Sequence, residues 1–215
     1  LLKPPVCYNK SRKRTFISQY GGIVEQQKVQ DLVASVGLNV ARAANYPEES
    51  LEFQLLRSSI PNAFAWDTKT VFLTQGLFTL IDSRDELAAV LAHEIGHLTA
   101  GHPKVRVTNR AKSILLSSAF SGMGWVMTRV VSFVSNAKAA AHSRDQEHEA
   151  DRLGVSYLRR AGYDPGAAIQ MLEKLHRIGI SSGRSMNSLQ ELLSTHPIDK
   201  DRIDRIRELA NRTDD

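Results

Sequence analysis

The 215-residue chain has one cysteine, Cys7, which excludes an intrachain disulfide and a multi-cysteine metal cluster. It also lacks internal repeats, low-complexity tracts and composition shifts, so nothing marks a boundary between domains. Charge of one sign is scarce: 28 basic residues face 23 acidic ones, and no basic stripe interleaves with aromatics, so nucleic acid is excluded as a partner. The first residues have no long apolar core of a signal peptide and read as a mature or trimmed N-terminus. What remains is ordinary globular composition, 42% hydrophobic and 24% charged, which excludes wholesale disorder at a length that can bury a core.

Residues 1–19 read as a basic arm, with Lys10, Arg12, Lys13 and Arg14 forming a solvated tail that could be drawn weakly to an anionic membrane surface. Pro5 and Val6 are not the small residues of a lipidation signal, so Cys7 reads as an unpaired thiol. Residues 20–215 read as one domain. Val29, Leu32, Val33, Val36 and Val40 recur at helical spacing between 24 and 44. Leu51–Leu55, Asn62–Trp66 and Thr70–Thr74 read as strands, the last two joined by a turn at 67–69. Ser83 with Glu86, and Ser143 with Gln146, are capping boxes that open two helices, the first running past His97 and the second ending near Gly162. Asp164-Pro165 starts another and Asp199 a last one. The apolar stretch 113–134 is interrupted by Arg129, Gly122 and Gly124, so it reads as a buried hairpin or surface-lying segment rather than a membrane span. The expected fold class is α+β: a mainly helical single domain with a small antiparallel sheet beside the active-site helix.

Chemistry concentrates at His93-Glu94-Ile95-Gly96-His97. Two histidines four apart on a helix stand one above the other and can converge on one zinc ion. Glu94 lies about 100° round the helix, placed to reach a water on the metal rather than the metal itself. A third ligand is needed. His102 is one position short of the spacing that would supply it nearby, and reads as a polar residue close to the last carbonyls of the helix. Glu147 and Asp151, four apart on the second capped helix, share a face; one can bind the metal while the other accepts the outer N–H of a ligand histidine.

These residues, with Ser143, Arg144 and Ala150 around them, resemble the zinc metallopeptidase family of the CAAX prenyl protease and HtpX, in its soluble bacterial BepA-like branch. Tyr20-Gly21-Gly22, Asn62-Ala63-Phe64-Ala65, Gly76-Leu77, Glu86–Ala92 and Thr195-His196-Pro197 with Arg202 match in order, from about residue 20 to 207. Trp66-Asp67-Thr68-Lys69 stands where the family has a Pro-Gly-Gly-type turn; the prenyl protease's transmembrane helices and the helical-repeat domain of some soluble members are not evident. The resemblance implies a gluzincin-like zinc endopeptidase, with His93, His97 and Glu147 as ligands to one Zn2+, Glu94 as general base and acid, and Asp151 behind the ligands. It places His196 and Arg202 near the metal as donors to the developing oxyanion, with a latch on the open site as the other role for His196. It also implies an edge strand at Asn62, Ala63, Phe64 and Ala65 that receives an extended peptide. Misfolded or envelope polypeptides in the bacterial periplasm or cell envelope are the implied substrates. A zinc-stabilised, chaperone-like binding module without proteolysis is the alternative, and Glu94 argues against it, because a structural zinc needs no base.

Overall fold

A computed structural model describes residues 10–47, 51–102, 143–181 and 189–212. Cys7 and the stretch 113–134 lie outside these residues. In chain order the described elements are α1 (Lys10–Gln19), α2 (Gln27–Ala43), β1 (Glu52–Leu56), β2 (Ala63–Ala65), β3 (Thr70–Thr74), α3 (Gln75–Phe78), α4 (Arg84–Thr99), α5 (Arg144–Ala161), α6 (Gly166–Ser181), α7 (Gln190–Thr195) and α8 (Lys200–Asn211). The α+β reading holds, mainly helical with one small sheet.

Local chemistry sets the helix starts. Ser83 Oγ accepts the Glu86 N–H at 3.1 Å, and the Glu86 carboxylate turns back to the Asp82 N–H at 2.7 Å. Ser143 and Gln146 make the reciprocal capping box that opens α5. That helix stops at Gly162, whose φ of +78° favours glycine. Asp164 accepts the Gly166 N–H at the start of α6, and Asp199 accepts the Arg202 N–H at the start of α8.

The sheet is mixed rather than wholly antiparallel. β2 and β3 form the expected hairpin, but β1 runs parallel to β3, giving the order β1-β3-β2. Alternation of apolar residues marks a strand without giving its direction. Here the chain leaves β1, passes β3's place and enters β2, so the hairpin folds β3 into the middle. All five residues of β3 are accordingly buried. One face of the sheet packs Phe53, Leu55, Val71 and Leu73 into the main core with α2 and α4. The other face carries Leu56, Phe64, Trp66 and Phe72, closed by Tyr20 and by Phe16 and Ile17 of α1. The Phe16 and Trp66 rings stand 4.2 Å apart.

The arm is helical over Lys10–Gln19 and packs through Phe16 and Ile17, while Arg12 and Arg14 stay exposed. Its Lys13 ammonium donates to Glu52 at 2.7 Å and Thr70 at 2.9 Å. The sequence hid this helix because Phe16 and Ile17 are its only long apolar side chains among charged neighbours.

α4 and α5 make the most intimate helix pair. A Cβ on Gly96 would lie 2.6 Å from the Ala150 carbonyl oxygen, and one on Gly154 would lie 3.3 Å from Ala92. Glycine at the first point lets the backbones approach closely enough for α5 to overhang the His93–His97 face. Among the described residues, no helix is long and apolar enough to cross a membrane.

Candidate metal centre

Four donors from three parts of the chain meet at this seam. His93 and His97 project from one face of α4, Glu147 comes from the first turn of α5, and His196 follows α7. One donor atom of each lies within 4.8 Å of all the others. His93 Nε2 is 3.0 Å from His97 Nε2, and those nitrogens are 3.4 and 3.3 Å from the Glu147 carboxylate. His196 Nδ1 is 3.1 Å from His93 Nε2 and 3.2 Å from both Glu147 oxygens. Ligands on a tetrahedral zinc at about 2.0–2.1 Å stand about 3.3–3.4 Å apart, so these separations suit a small cation with nitrogen and oxygen ligands. His97, Glu147 and His196 are buried, which leaves a carboxylate among imidazoles and away from water.

Each α4 histidine has an outer partner. His93 Nδ1 is 2.9 Å from Asp151 Oδ1. Arg202 grips that carboxylate with two bonds, Nε to Oδ2 at 2.7 Å and Nη2 to Oδ1 at 2.8 Å. Its Nη1 reaches Glu147 Oε2 at 2.7 Å and the Pro197 carbonyl at 3.0 Å. The guanidinium is buried, and each of its nitrogens has one of these partners. His97 Nδ1 faces His102 Nδ1 at 3.0 Å, and His102 Nε2 faces Glu149 at 3.3 Å. His102, just past the end of α4, is buried with its ring against His97. Gly101, with φ +73°, turns the chain back beneath α4. The sequence signal was the pair Gly101-His102 itself, five residues past His97, which has no simple helical reading.

The charges answer this geometry. Burial alone would lower the His93 pKa, but bonds to Asp151 and Glu147 prevail and raise it to about 9. Burial, with the nearby His93 and His196 rings, pushes His97 down to about 3, so it is neutral at pH 7. Burial would raise both carboxylates; His196 and the other rings hold Glu147 well below the usual range, and Arg202 holds Asp151 at about 2. Both are ionised at neutral pH. Two ionised carboxylates beside a neutral His97 ring can receive a cation, in competition with the proton that His93 otherwise keeps at pH 7.

Glu94 is buried on the neighbouring face of α4. Its Oε2 accepts the Ala65 N–H of β2 at 3.1 Å and its Oε1 lies 3.4 Å from His196 Nε2. β2 is an edge strand whose Asn62 and Trp66 bond inward to Thr74 and Thr70. Alternation therefore turns the backbone groups of Ala63 and Ala65 outward, toward the site. The Phe64 side chain lies in the aromatic cluster on the opposite face of the sheet, and Asn62 is buried with its N–H on Thr74 Oγ1. Between Ala63, His93, Glu94 and α6 opens a mostly apolar cavity of about 70 Å³, lined also by Ala168, Met171 and Leu175. The sequence shows there only a helix start at Asp164-Pro165 and singles out none of these α6 residues.

The profile of peptidase family M48 matches residues 27–210. The beta-barrel assembly-enhancing protease of Escherichia coli K12 is 28% identical over 201 residues, covering 88% of this chain and 40% of that protein. Its counterpart in Yersinia pestis is 32% identical over 193 residues, covering 84% and 38%. The mitochondrial metalloendopeptidase OMA1 of Schizosaccharomyces pombe is 31% identical over 159 residues, covering 73% and 46%. The chain spans less than half the length of each of these relatives.

Proposed function

The chain belongs to peptidase family M48, and we propose that it is a metal-dependent protease, a zinc endopeptidase with His93, His97 and Glu147 as its ligands. The convergence of those donors beside a buried Glu94 carries the reading. When bound, zinc polarises a carbonyl and acidifies water. Glu94 is the base that takes the water's proton and returns it to the leaving amine, and the Ala65 N–H fixes its carboxylate for that work. Asp151 orients His93, and Arg202 braces Asp151 and Glu147 together. Arg202 acts here as a positioning residue, since its nitrogens already have partners.

His196 has two proposed parts, oxyanion donor or latch. Its Nδ1 stands among the metal donors, within 3.2 Å of His93 and Glu147, and this favours the latch. An imidazole there fills the corner that a substrate carbonyl needs. The polypeptide itself adds to the edge of β2, pairing with Ala63 and Ala65, and an aliphatic side chain next to the scissile bond enters the cavity below. Two relatives carry β-barrel assembly in their names. By that likeness the substrates are unfolded or misfolded envelope proteins, in the bacterial periplasm or cell envelope, and the basic face of α1 could rest on a membrane surface.

Casein cleavage with and without a chelator, alongside zinc content, tests the reading. Chelation should abolish cleavage and zinc should restore it. Glu94→Gln should keep its zinc and lose about 10²–10⁴-fold in rate. Full activity in Glu94→Gln overturns the mechanism, and binding of unfolded protein without cleavage by the zinc-loaded wild type points to a chaperone-like module. In the same assay His196→Ala should cleave faster than the wild type; a steep fall identifies the oxyanion role instead. Ala63→Pro deletes an outward N–H of the edge strand while leaving the Ala65–Glu94 bond in place, and should cut cleavage about tenfold or more. Unchanged cleavage removes strand addition.

A further inference from the structure

We propose that His102 and Glu149 form a positioning relay behind His97, fixing which of its ring nitrogens carries the proton. The proposal rests on the zinc reading, but its evidence lies on the far side of the histidine from the donors.

His97 meets the other donors through Nε2 and turns Nδ1 away from them. That outer nitrogen is 3.0 Å from His102 Nδ1, with both rings buried. A bond between two ring nitrogens needs one N–H and one lone pair. Glu149 decides the order. Its carboxylate, 3.3 Å from His102 Nε2, can only accept, so the His102 proton belongs on Nε2 and its Nδ1 is the acceptor. His97 then donates from Nδ1, and its Nε2 is left with a lone pair aimed at His93, Glu147 and His196. This is the tautomer a cation requires.

The relay is set in place by the fold. Gly101 turns His102 back under α4, and the Tyr157 hydroxyl donates to Thr99 Oγ1 at 2.9 Å, tying the last turn of α4 to α5. Because Glu149 sits two residues past Glu147 on the same helix, α5 supplies both a donor to the metal group and the far end of the relay. The two are positioned by one helix placement.

Two measurements on the full chain decide the matter. Zinc affinity is read by competition with a chromophoric chelator, and histidine tautomers by long-range ¹H–¹⁵N spectra of the zinc-loaded protein. In the wild type, His102 should be protonated on Nε2 and not on Nδ1. His102→Phe keeps a ring and removes the acceptor, and should bind zinc about 10–100-fold more weakly. His102→Gln presents a carbonyl oxygen to His97 and should recover most of that loss. Glu149 is half-exposed, so Glu149→Ala leaves the core intact; it should weaken zinc a few-fold and release the His102 proton to both nitrogens. A His102 ring protonated on Nδ1 overturns the relay, as does a folded His102→Phe with wild-type zinc affinity. If His102→Phe does not fold, the wild-type spectrum and Glu149→Ala decide in its place. A wild type that takes no zinc at all overturns the metal reading, and the relay with it.

Discussion

His93 and His97 are one helical turn apart and face the same donors, yet their outer nitrogens meet unlike partners. Behind His93 stands a buried ion pair, Asp151 with Arg202, joining α5 to α8. Behind His97 stands the His102 ring, backed by a half-exposed carboxylate, both close to the α4–α5 seam. Each arrangement can hold a ring in place. They differ in what is left when they are broken. Charges taken out of water are stable only while paired, so the His93 side ties the site to the integrity of the fold. On the His97 side the carboxylate is half in solvent, so removing it can tune the site without endangering the fold.

The largest difference should appear when one charged member of each side is removed. Arg202→Met leaves Asp151 and Glu147 buried without their guanidinium, and should cost about 3–5 kcal/mol in urea unfolding with chelator present. Glu149→Ala should cost less than about 1 kcal/mol in that assay, because its carboxylate is half in solvent. With zinc absent from both samples, metal affinity does not enter the comparison. Equal losses would show that the two sides are energetically alike.

Much of this centre was legible in the chain because its parts are local. Two histidines and two carboxylates each repeat at four, and Ser83 and Ser143 announce the helices that carry them. Spacing within a helix places groups on one face, and that alone put His93 with His97 and Glu147 with Asp151. What spacing does not state is which face of one helix meets which face of another. The bidentate grip of Arg202 on Asp151 joins residues 51 apart, and the His97–His102 contact depends on a left-handed turn at Gly101. The strand direction of β1 was hidden for the same reason: its neighbour is β3, the second strand after it, and alternation does not say which strands pair. α1 was missed because its packing is aromatic and one-sided, Phe16, Ile17 and the following Tyr20 against the outer face of the sheet, within a run otherwise rich in charge.

The two sides share one dependence, the approach of α5 to α4, and Gly96 controls it. Asp151 and Glu149 both ride on α5, so any shift of that helix reaches the partners of His93 and His97 together. A methyl at Gly96 would stand 2.6 Å from the Ala150 carbonyl oxygen, and backbone cannot yield there as a flexible side chain would. α5 must move, at about 1–3 kcal/mol for an overpacked contact. Gly96→Ala should therefore lower the melting temperature and weaken zinc more than tenfold, although alanine is the better helix former by about 1 kcal/mol. Gly154→Ala makes the same chemical change on α5, one turn along the seam, against Ala92 at 3.3 Å. That gap needs only a few tenths of an ångström, so propensity should offset the strain and leave stability within about 1 kcal/mol of the wild type. Zinc titration of the two variants side by side reads the difference. Similar affinities would mean that α5 does not set the outer partners jointly, and that each histidine is held on its own.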